Sequence, residues 1–554
     1  MTVIQSARIS ARFVAAICLL WLAASSGIWG ADATKPNVVY VVIDNVTFEH
    51  MGQCFEGQSY TPVLDRIAAE GVAFDRMYVP TAICVPSRYS ILTGRYPERC
   101  TAPQILAMSP ADEQWQQNAI HLEADRPNIA KGMKDAGYTT GYVGKFHVHH
   151  EALGEPYKVK KGQEHISNPE ITAALASMND ELIKVIKGHG FDYVGGAEYG
   201  NGIPIKGVDR DGVLHNLEWE IEHGLEFIDQ QHDSGKPFFL YLSTQLLHLQ
   251  LAYEATMLGD YEKIGRYTER GMIDKAPEVP MLSRREIVER AREHGPDEEQ
   301  AICMHWLDTG IGAVIARLEQ YGVLDNTIVI VLSDNNQPGK DTVYEGGVHV
   351  PAVMMWKKGI DAGQRIESLV SSMDIVPTLY EAAGRQVPAD ELLDGRSFLP
   401  LLQGRPIDDW RESFLVVSGH ARGVVTKKWK YVAVRYPEAV QKRIDAYDAS
   451  GKTTVDLKGN LLEKFTRMEG KFHPQQKPMV YNKHRWHFIG TNHLGRIPNY
   501  PCIFDLDQLY DLEQDPDEQH NLAADPAYAD TVKQMQLNLR ELLKPMSRPF
   551  GEFK

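Results

Sequence analysis

Residues 37–45 read Asn37-Val38-Val39-Tyr40-Val41-Val42-Ile43-Asp44-Asn45. The run up to Ile43 is continuously apolar and rich in β-branched residues, as expected of a strand buried on both faces of a parallel sheet. It then stops on a carboxylate and an amide. Comparable runs follow at Thr139–Val143, Pro237–Leu242 (PFFLYL), Thr327–Leu332 (TIVIVL) and Val350–Trp356. Helical periodicity lies between them at Thr61–Glu70, Pro127–Ala136 and Asp297–Tyr321, with Gly71, Gly137 and Gly322 as C-terminal stops. This alternation predicts an α/β fold: a large mixed, mostly parallel sheet sandwiched by helices.

From Ser413 onward the strands shorten and loops lengthen, and the chain ends in an amphipathic stretch around Tyr528–Leu543. The expectation is a large domain over 34–412 and a smaller C-terminal α+β subdomain over 413–554, with a small antiparallel sheet and a terminal helix. Two polar stretches, about 151–216 and 250–296, lack a strong strand signal and read as insertions over one rim. The 554 residues are 43% hydrophobic and 24% charged, which is ordinary globular composition and excludes disordered, collagen-like and coiled-coil chains. A net charge of −16 argues against a nucleic-acid protein, although an anionic small substrate senses only local charge.

Arg8 and Arg12, the apolar run Phe13–Leu22 and the small residues ending in Ala31-Asp32-Ala33 read as a signal peptide over 1–33. The apolar run falls short of the ~20 residues that a spanning helix needs. A secreted or periplasmic chain with no integral membrane segment after signal removal is expected. With Cys18 lost in the leader, Cys54, Cys84, Cys100, Cys303 and Cys502 remain, an odd set for an oxidising compartment. Cys84 is the candidate for a separate fate; pairing among the other four is open. None has CxxC or Cys/His zinc spacing, which argues against a structural zinc site.

Polar residues follow four of the strands: Asp44-Asn45, then Lys145 and His147, then His248, then Asp334-Asn335. In open α/β sheets the carboxyl ends of strands share one crevice. Singly, each such residue is an ordinary turn or cap; together they point to a site. Two carboxylates and two amide oxygens suit a hard cation, Ca²⁺ or Mg²⁺, rather than Zn²⁺. Residues 84–95 (CVPSRYSILTGR) place Cys84 at a helix N-terminus, with Pro86 in the first turn and Gly94 as the stop. On composition alone, a buried small residue or half-cystine is the simpler reading of this Cys.

The segment resembles the type I, formylglycine-dependent sulfatases of the alkaline phosphatase superfamily. The likeness is carried by Cys84-x-Pro86-Ser87-Arg88 with Leu92-Thr93-Gly94-Arg95, and continues in order through nearly the whole chain. It takes in Thr61-Pro62, Gly144-Lys145-Phe146-His147, His248, Ser333-Asp334-Asn335 and Lys340 with Tyr344-Glu345-Gly346-Gly347. Asp374-Ile375-Val376-Pro377-Thr378 and Leu509-Tyr510-Asp511-Leu512 complete it.

The resemblance implies conversion of Cys84 to Cα-formylglycine by a formylglycine-generating enzyme, and attack of the hydrated aldehyde on a sulfate ester. Asp44, Asn45, Asp334 and Asn335, with residue 84, would hold the cation. Arg88 would stabilise the diol and the metal carboxylates, and Lys145 and Lys340 would bind sulfate oxygens. His147 would be the base for the second hydroxyl, and His248, with Lys340, the acid for the leaving oxygen and a substrate contact. The chain departs from the family at Asn45, where a second Asp is common; the loss of one ligand charge weakens cation binding. His349 stands where Arg is frequent, and Phe146 where Trp is.

The expected secreted location and the long insertions over one rim point to a sulfated carbohydrate as substrate, rather than a small intracellular ester. An aromatic and basic segment, His484-Arg485-Trp486-His487 with Asn492, His493 and Arg496, reads either as a sugar contact or as a structural loop. A phosphonate or phosphate-ester hydrolase of the same superfamily, or a catalytically silent glycan-binding relative, are the alternatives.

Overall fold

A computed structural model describes residues 35–108, 120–149, 153, 157–248, 253–337, 339–405, 407–436, 438, 442, 449, 500–503, 505–546 and 550. The expected signal peptide, 1–33, and the segment His484–Arg496 lie outside the described residues. Asn37–Lys554 belongs to one unit.

Strands β1 (Asn37–Ile43), β2 (Val72–Phe74), β3 (Thr139–Lys145), β4 (Tyr193–Glu198), β5 (Phe238–Ser243), β6 (Thr327–Ser333), β7 (Ala352–Met355) and β8 (Gln364–Ile366) form an eight-stranded sheet. The order is β8-β2-β7-β6-β1-β5-β3-β4. β7 runs antiparallel to both neighbours, and every other pairing is parallel. The sheet is thus mixed and mostly parallel, as its sequence predicts. β1 shows why. Val38, Tyr40 and Val42 enter one core, while Val39, Val41 and Ile43 enter another on the opposite face. Each fully buried side chain contributes roughly 1.5–3 kcal/mol, so a strand apolar on both faces fits only between two layers.

Helices α1 (Pro62–Ala69), α4 (Leu217–His232) and α5 (Glu299–Gln320) cover the face holding Val39. Helix α2 (Cys84–Thr93) belongs to the other face; all its residues are buried, and Gly94 ends it in a left-handed conformation (φ 67°). Strands β9 (Ser413–Ser418), β10 (Ala421–Thr426), β11 (Trp429–Val434) and β12 (Asp507–Asp511) form a separate antiparallel sheet. Met535 and Leu539 of helix α6 (Ala529–Leu543) are buried in the same core as that sheet. Among the described residues no helix is long and apolar enough to cross a membrane.

The stretch 151–216 is more than an insertion. It contains helix α3 (Pro169–Gly188) and β4, the edge strand beside β3. Gly195 and Gly196 hide β4 from its sequence, because glycine weakens strand propensity. A Cβ on Gly195 would lie 2.5 Å from the Tyr193 hydroxyl, so the close approach explains the glycine.

The register of β3 against β4 shifts between Val143 and Lys145, at Gly144. Gly144 has φ 87°, and a Cβ there would sit 1.8 Å from the Ser243 carbonyl oxygen of β5. Glycine is therefore required for the chain to deliver Lys145 at the sheet edge. Gly144→Ala is expected to lower stability by about 2 kcal/mol or more, through positive-φ strain and backbone overlap. Denaturant titration of the variant checks this; an unchanged midpoint contradicts it.

Candidate active site

Four contiguous parallel strands, β6-β1-β5-β3, end at one edge of the sheet, and these are the four whose following residues stand out in the sequence. In-register pairing of Ile43 with Ser333 sets Asp44 beside Asp334. Asp334 N–H donates to the Ile43 carbonyl at 2.9 Å, and Val46 N–H to Ser333 Oγ at 2.9 Å. Helix α2 meets this edge with its N-terminus. Ser87 Oγ–H donates to the Asp334 carbonyl at 2.5 Å, fixing the first turn to the end of β6.

Cys84 occupies the first turn of α2 and is 3% exposed. Its Sγ lies 3.5 Å from Asp44 Oδ1, 3.4 Å from Asn335 Nδ2 and 3.0 Å from Lys340 Nζ. Lys340 Nζ also donates to Asn45 Oδ1 at 2.7 Å. One turn further on, the Arg88 guanidinium spans the two carboxylates, with NH2 3.1 Å from Asp44 Oδ2 and Nε 2.8 Å from Asp334 Oδ2. Arg88 also donates to Ser243 Oγ and to the Thr244 carbonyl, both at the end of β5. Lys145 pairs with Asp44 and with Asn201. His248 joins by proximity: its ring nitrogen, Cys84 Sγ and an Asp44 oxygen all lie within 4.8 Å of one another.

His147 follows Lys145 by two residues, with its amide donating to the Tyr199 carbonyl at 2.9 Å. A Cβ on Gly200 would meet its ring at 2.8 Å, so the Gly200-Asn201-Gly202 turn rests directly on it. His349 plays another part. It stacks on Tyr78 and its Nε2 lies 2.8 Å from the Asp75 carbonyl. Cys54, Cys84, Cys100, Cys303 and Cys502 are all free thiols.

The charges are strongly coupled. Burial pushes the Asp44 carboxyl up, but Lys145, Arg88, His248 and Lys340 together hold it well below the usual range. Asp334 moves the other way, raised by burial and by Asp44 against the pull of Arg88. Burial and Asp44 push the Cys84 thiol up to about 11. Burial opposes the charge on Lys340, yet Cys84, Asp44 and Asp334 carry it to about 12. His248 falls to about 4, because burial and its cationic neighbours Lys340, Lys145 and Arg88 outweigh Asp44.

The donor set fits a hard divalent cation. Asp44, Asn45, Asp334 and Asn335 offer side-chain oxygens, all are fully buried, and Asn335 Oδ1 has no hydrogen-bond partner. An orphaned buried oxygen beside two carboxylates is what such an ion satisfies.

Several contributors carry no sequence signal. Asn201 lies in an exposed turn, and Ser243 reads as the last residue of an apolar strand. Glu198, Glu220 and Glu269 form a buried group, with Glu198 opposite Lys145 in the pairing of β4 with β3. Burial raises Glu220 and Glu269 to about 8 and Glu198 well above its ordinary value. Glu269 accepts from Tyr199 N–H at 2.6 Å and from Gln245 Nε2 at 2.8 Å, while Gln245 Oε1 accepts from Gly202 N–H at 3.1 Å. The turn bearing Asn201 is thereby tied to the turn bearing His248.

The family model Sulfatase matches residues 36–385, more than half of the chain, and that of N-sulphoglucosamine sulphohydrolase, C-terminal, matches 338–449. The rat (Rattus norvegicus) N-acetylgalactosamine-6-sulfatase is 29% identical over 424 residues, covering 70% of each chain. Human (Homo sapiens) arylsulfatase A is 26% identical over 571 residues, covering 94% of this chain and 90% of its own. Among solved structures, BT4656 in complex with its substrate D-glucosamine-2-N,6-O-disulfate has a TM-score of 0.55 at 19% identity, covering 92% of this chain and 98% of that one. Ps i-CgsB in complex with k-i-k-neocarrahexaose has a TM-score of 0.55 at 18% identity, covering 94% and 95%. At such identities the structural likeness shows the fold alone. The matched family model covers the strand ends and the Cys84 helix alike, and the chain belongs to the sulfatase family of the alkaline phosphatase superfamily, the sulfuric ester hydrolases.

Proposed function

We propose that the protein releases inorganic sulfate from a sulfated carbohydrate outside the cytoplasm or in the periplasm. Its nucleophile would be a formylglycine made from Cys84, set beside Ca²⁺ or Mg²⁺. Residues 34–412 would carry the catalytic centre and 413–554 would form a C-terminal subdomain. The observation that carries the reading is the convergence on Cys84 of Asp44, Asn335 and Lys340, with Arg88 bridging both carboxylates one turn behind. Carbohydrate is favoured by the company the chain keeps: relatives named N-acetylgalactosamine-6-sulfatase, and structural neighbours in complex with D-glucosamine-2-N,6-O-disulfate and with k-i-k-neocarrahexaose.

A cation held by Asp44, Asn45, Asp334 and Asn335 would polarise the nucleophile and a sulfate oxygen as a Lewis acid. Once converted to the aldehyde and hydrated by one water, residue 84 offers two geminal hydroxyls, one to attack sulfur and expel the alcohol and one whose deprotonation expels sulfate and regenerates the aldehyde. The unmodified thiol suits neither step: at about 11 it stays neutral near pH 7 and lacks a second hydroxyl. Arg88 fixes the two carboxylates in place and opposes the rise that burial imposes on them. Lys145 and Lys340 reach the sulfate oxygens and offset the charge that grows on them as the S–O bond breaks. Lys340, whose Nζ lies 3.0 Å from Cys84 Sγ, would assist His248 in protonating the leaving oxygen. His248 is neutral in the resting site, and an incoming sulfate anion raises its pKa toward the protonated form. His147 takes the proton of the second hydroxyl. The modifying enzyme meets its Cys84-x-Pro86-x-Arg88 element before folding, because the whole helix is buried afterwards.

Mass spectrometry of the Cys84 peptide, after co-expression with the modifying enzyme, is expected to show a loss of ~18 Da, the thiol-to-aldehyde change this nucleophile requires. The matured protein is expected to release sulfate from a panel of sulfated mono- and oligosaccharides with added Ca²⁺, and Cys84→Ala to lose that turnover with unchanged thermal unfolding. Activity retained by Cys84→Ala rules out the mechanism. Turnover of phosphate esters in place of sulfates makes the protein a phosphohydrolase, and an intact thiol with no turnover a glycan binder.

The unmodified chain offers a second check. With the thiol at about 11, alkylation of Cys84 in chelator-treated protein is expected to be slow at pH 8 and to rise about tenfold per pH unit until near 11. A rate already maximal at pH 8 contradicts the charge balance described for the site.

A further inference from the structure

We infer that the C-terminal antiparallel sheet positions the active-site lysine: Lys430, Ser418 and Gln508 clamp the segment Gly339–Gly347 that carries Lys340. The inference rests on the reading of Lys340 as a sulfate-contacting residue.

The segment folds tightly on itself. Gly339 N–H donates to the Gly346 carbonyl at 2.7 Å, and Asn336 N–H to the Gly347 carbonyl at 2.9 Å. A Cβ on Gly347 would lie 2.1 Å from the Gly339 carbonyl oxygen, and one on Gly339 2.4 Å from Gly347 N. The Glu345-Gly346-Gly347 element thus exists for a backbone contact that admits no side chain. Within it, Asp341 has φ 69° and donates its N–H to the Ala82 carbonyl at 2.8 Å, just ahead of Cys84. A non-glycine residue held at positive φ costs about 1–3 kcal/mol, so the surroundings must over-determine it.

Those surroundings come from the second sheet. Ser418, at the end of β9, donates Oγ–H to the Asp341 carbonyl at 2.7 Å. Lys430 of β11 donates to Glu345 Oε1 at 2.9 Å and lies 3.3 Å from Glu518 Oε1, while Glu518 Oε2 accepts from Glu345 N–H at 2.6 Å. Tyr344 donates its hydroxyl to Gln508 Oε1 of β12 at 2.6 Å. Lys430, Gln508 and Glu518 are wholly buried. A buried Lys between two carboxylates is a poor way to gain stability, since an apolar trio of equal volume does as well or better. What it supplies is direction: it holds the Glu345 backbone and side chain in one orientation, and Lys340 with them, 3.0 Å from Cys84 Sγ. Lys430 is a positioning residue, and the sheet that bears it is part of the catalytic apparatus.

The test uses the full matured chain with 4-methylumbelliferyl sulfate as probe, together with hydrogen exchange. Lys430→Met is expected to lower kcat at least about tenfold with KM changed less than about threefold, because misplacing a reacting group by about an ångström carries such losses. Exchange is expected to quicken over Gly339–Gly347 and to stay unchanged in β1 and β6. Lys430→Arg is expected to recover most of the activity. Ser418→Ala, which removes one hydrogen bond without disturbing volume, is expected to show the same pattern with a loss of about threefold. Normal exchange over Gly339–Gly347 in the folded variants, a loss confined to KM, or no rescue by Arg overturns the inference. If Lys430→Met does not fold, Ser418→Ala decides by the same criteria. A wild-type protein without sulfatase activity defeats the reading of Lys340, and the exchange result alone then decides whether the clamp exists.

Discussion

The site depends on Arg88. Two carboxylates brought side by side by neighbouring parallel strands repel one another in a buried setting, and neither is tolerable there alone. The guanidinium lies between them, reaches Asp44 and Asp334 at once, and continues to Ser243 and Thr244. One side chain on α2 thereby joins the ends of β1, β6 and β5. Because Arg88 is one helical turn from Cys84, the same contact fixes residue 84: rotation of α2 about its axis would break every one of these pairs. The requirement for Arg rather than Lys follows from geometry, since only a planar fork reaches two separate carboxylates and a hydroxyl together.

Around this cross-link the local charge opposes that of the protein. The chain carries −16 overall, whereas three cations, Arg88, Lys145 and Lys340, gather with two carboxylates, Asp44 and Asp334, around Cys84. A local excess of positive charge in a buried cleft draws in a sulfate ester that the acidic exterior would repel. Backbone strain is gathered at the same place. Asn45, Leu247 and Asp341 have positive φ, and each is, or adjoins, a residue of the cluster, while His147, also at positive φ, lies two residues from Lys145. Asn tolerates the left-handed region better than most residues, so Asn45 is suited to its turn even though it gives up a ligand charge.

The sequence shows the part of this design that is local. Continuous apolar runs in β1, β5 and β6 reveal a sheet buried on both faces, and the observed strands and helices lie within about two residues of those expected. The residues after four of these strands stand out because polar side chains of metal-binding and acid–base type follow strongly apolar ones. What does not show is long-range or conformational. β4 escapes because Gly195 and Gly196 look like a loop until the Tyr193 and His223 rings packed against them are seen. Asn201 escapes because nothing in its neighbours announces that its turn folds onto His147. Lys430, Ser418 and Gln508 escape because an isolated polar residue in a strand reads as a solvated one. Only the packing of the second sheet against Gly339–Gly347 gives them a task.

The claim on which the rest hangs is that a divalent cation and residue 84 share the space that Arg88 organises. A crystal structure of the matured protein grown with Ca²⁺, with the ion located by its anomalous scattering, measures this directly. The expected result is one ion ligated by side-chain oxygens of Asp44, Asn45, Asp334 and Asn335, adjoining an oxygen-bearing residue 84 with Arg88 still bridging the carboxylates. An ion bound elsewhere, or none at saturating Ca²⁺ with Lys340 still closing on Asn45, contradicts it.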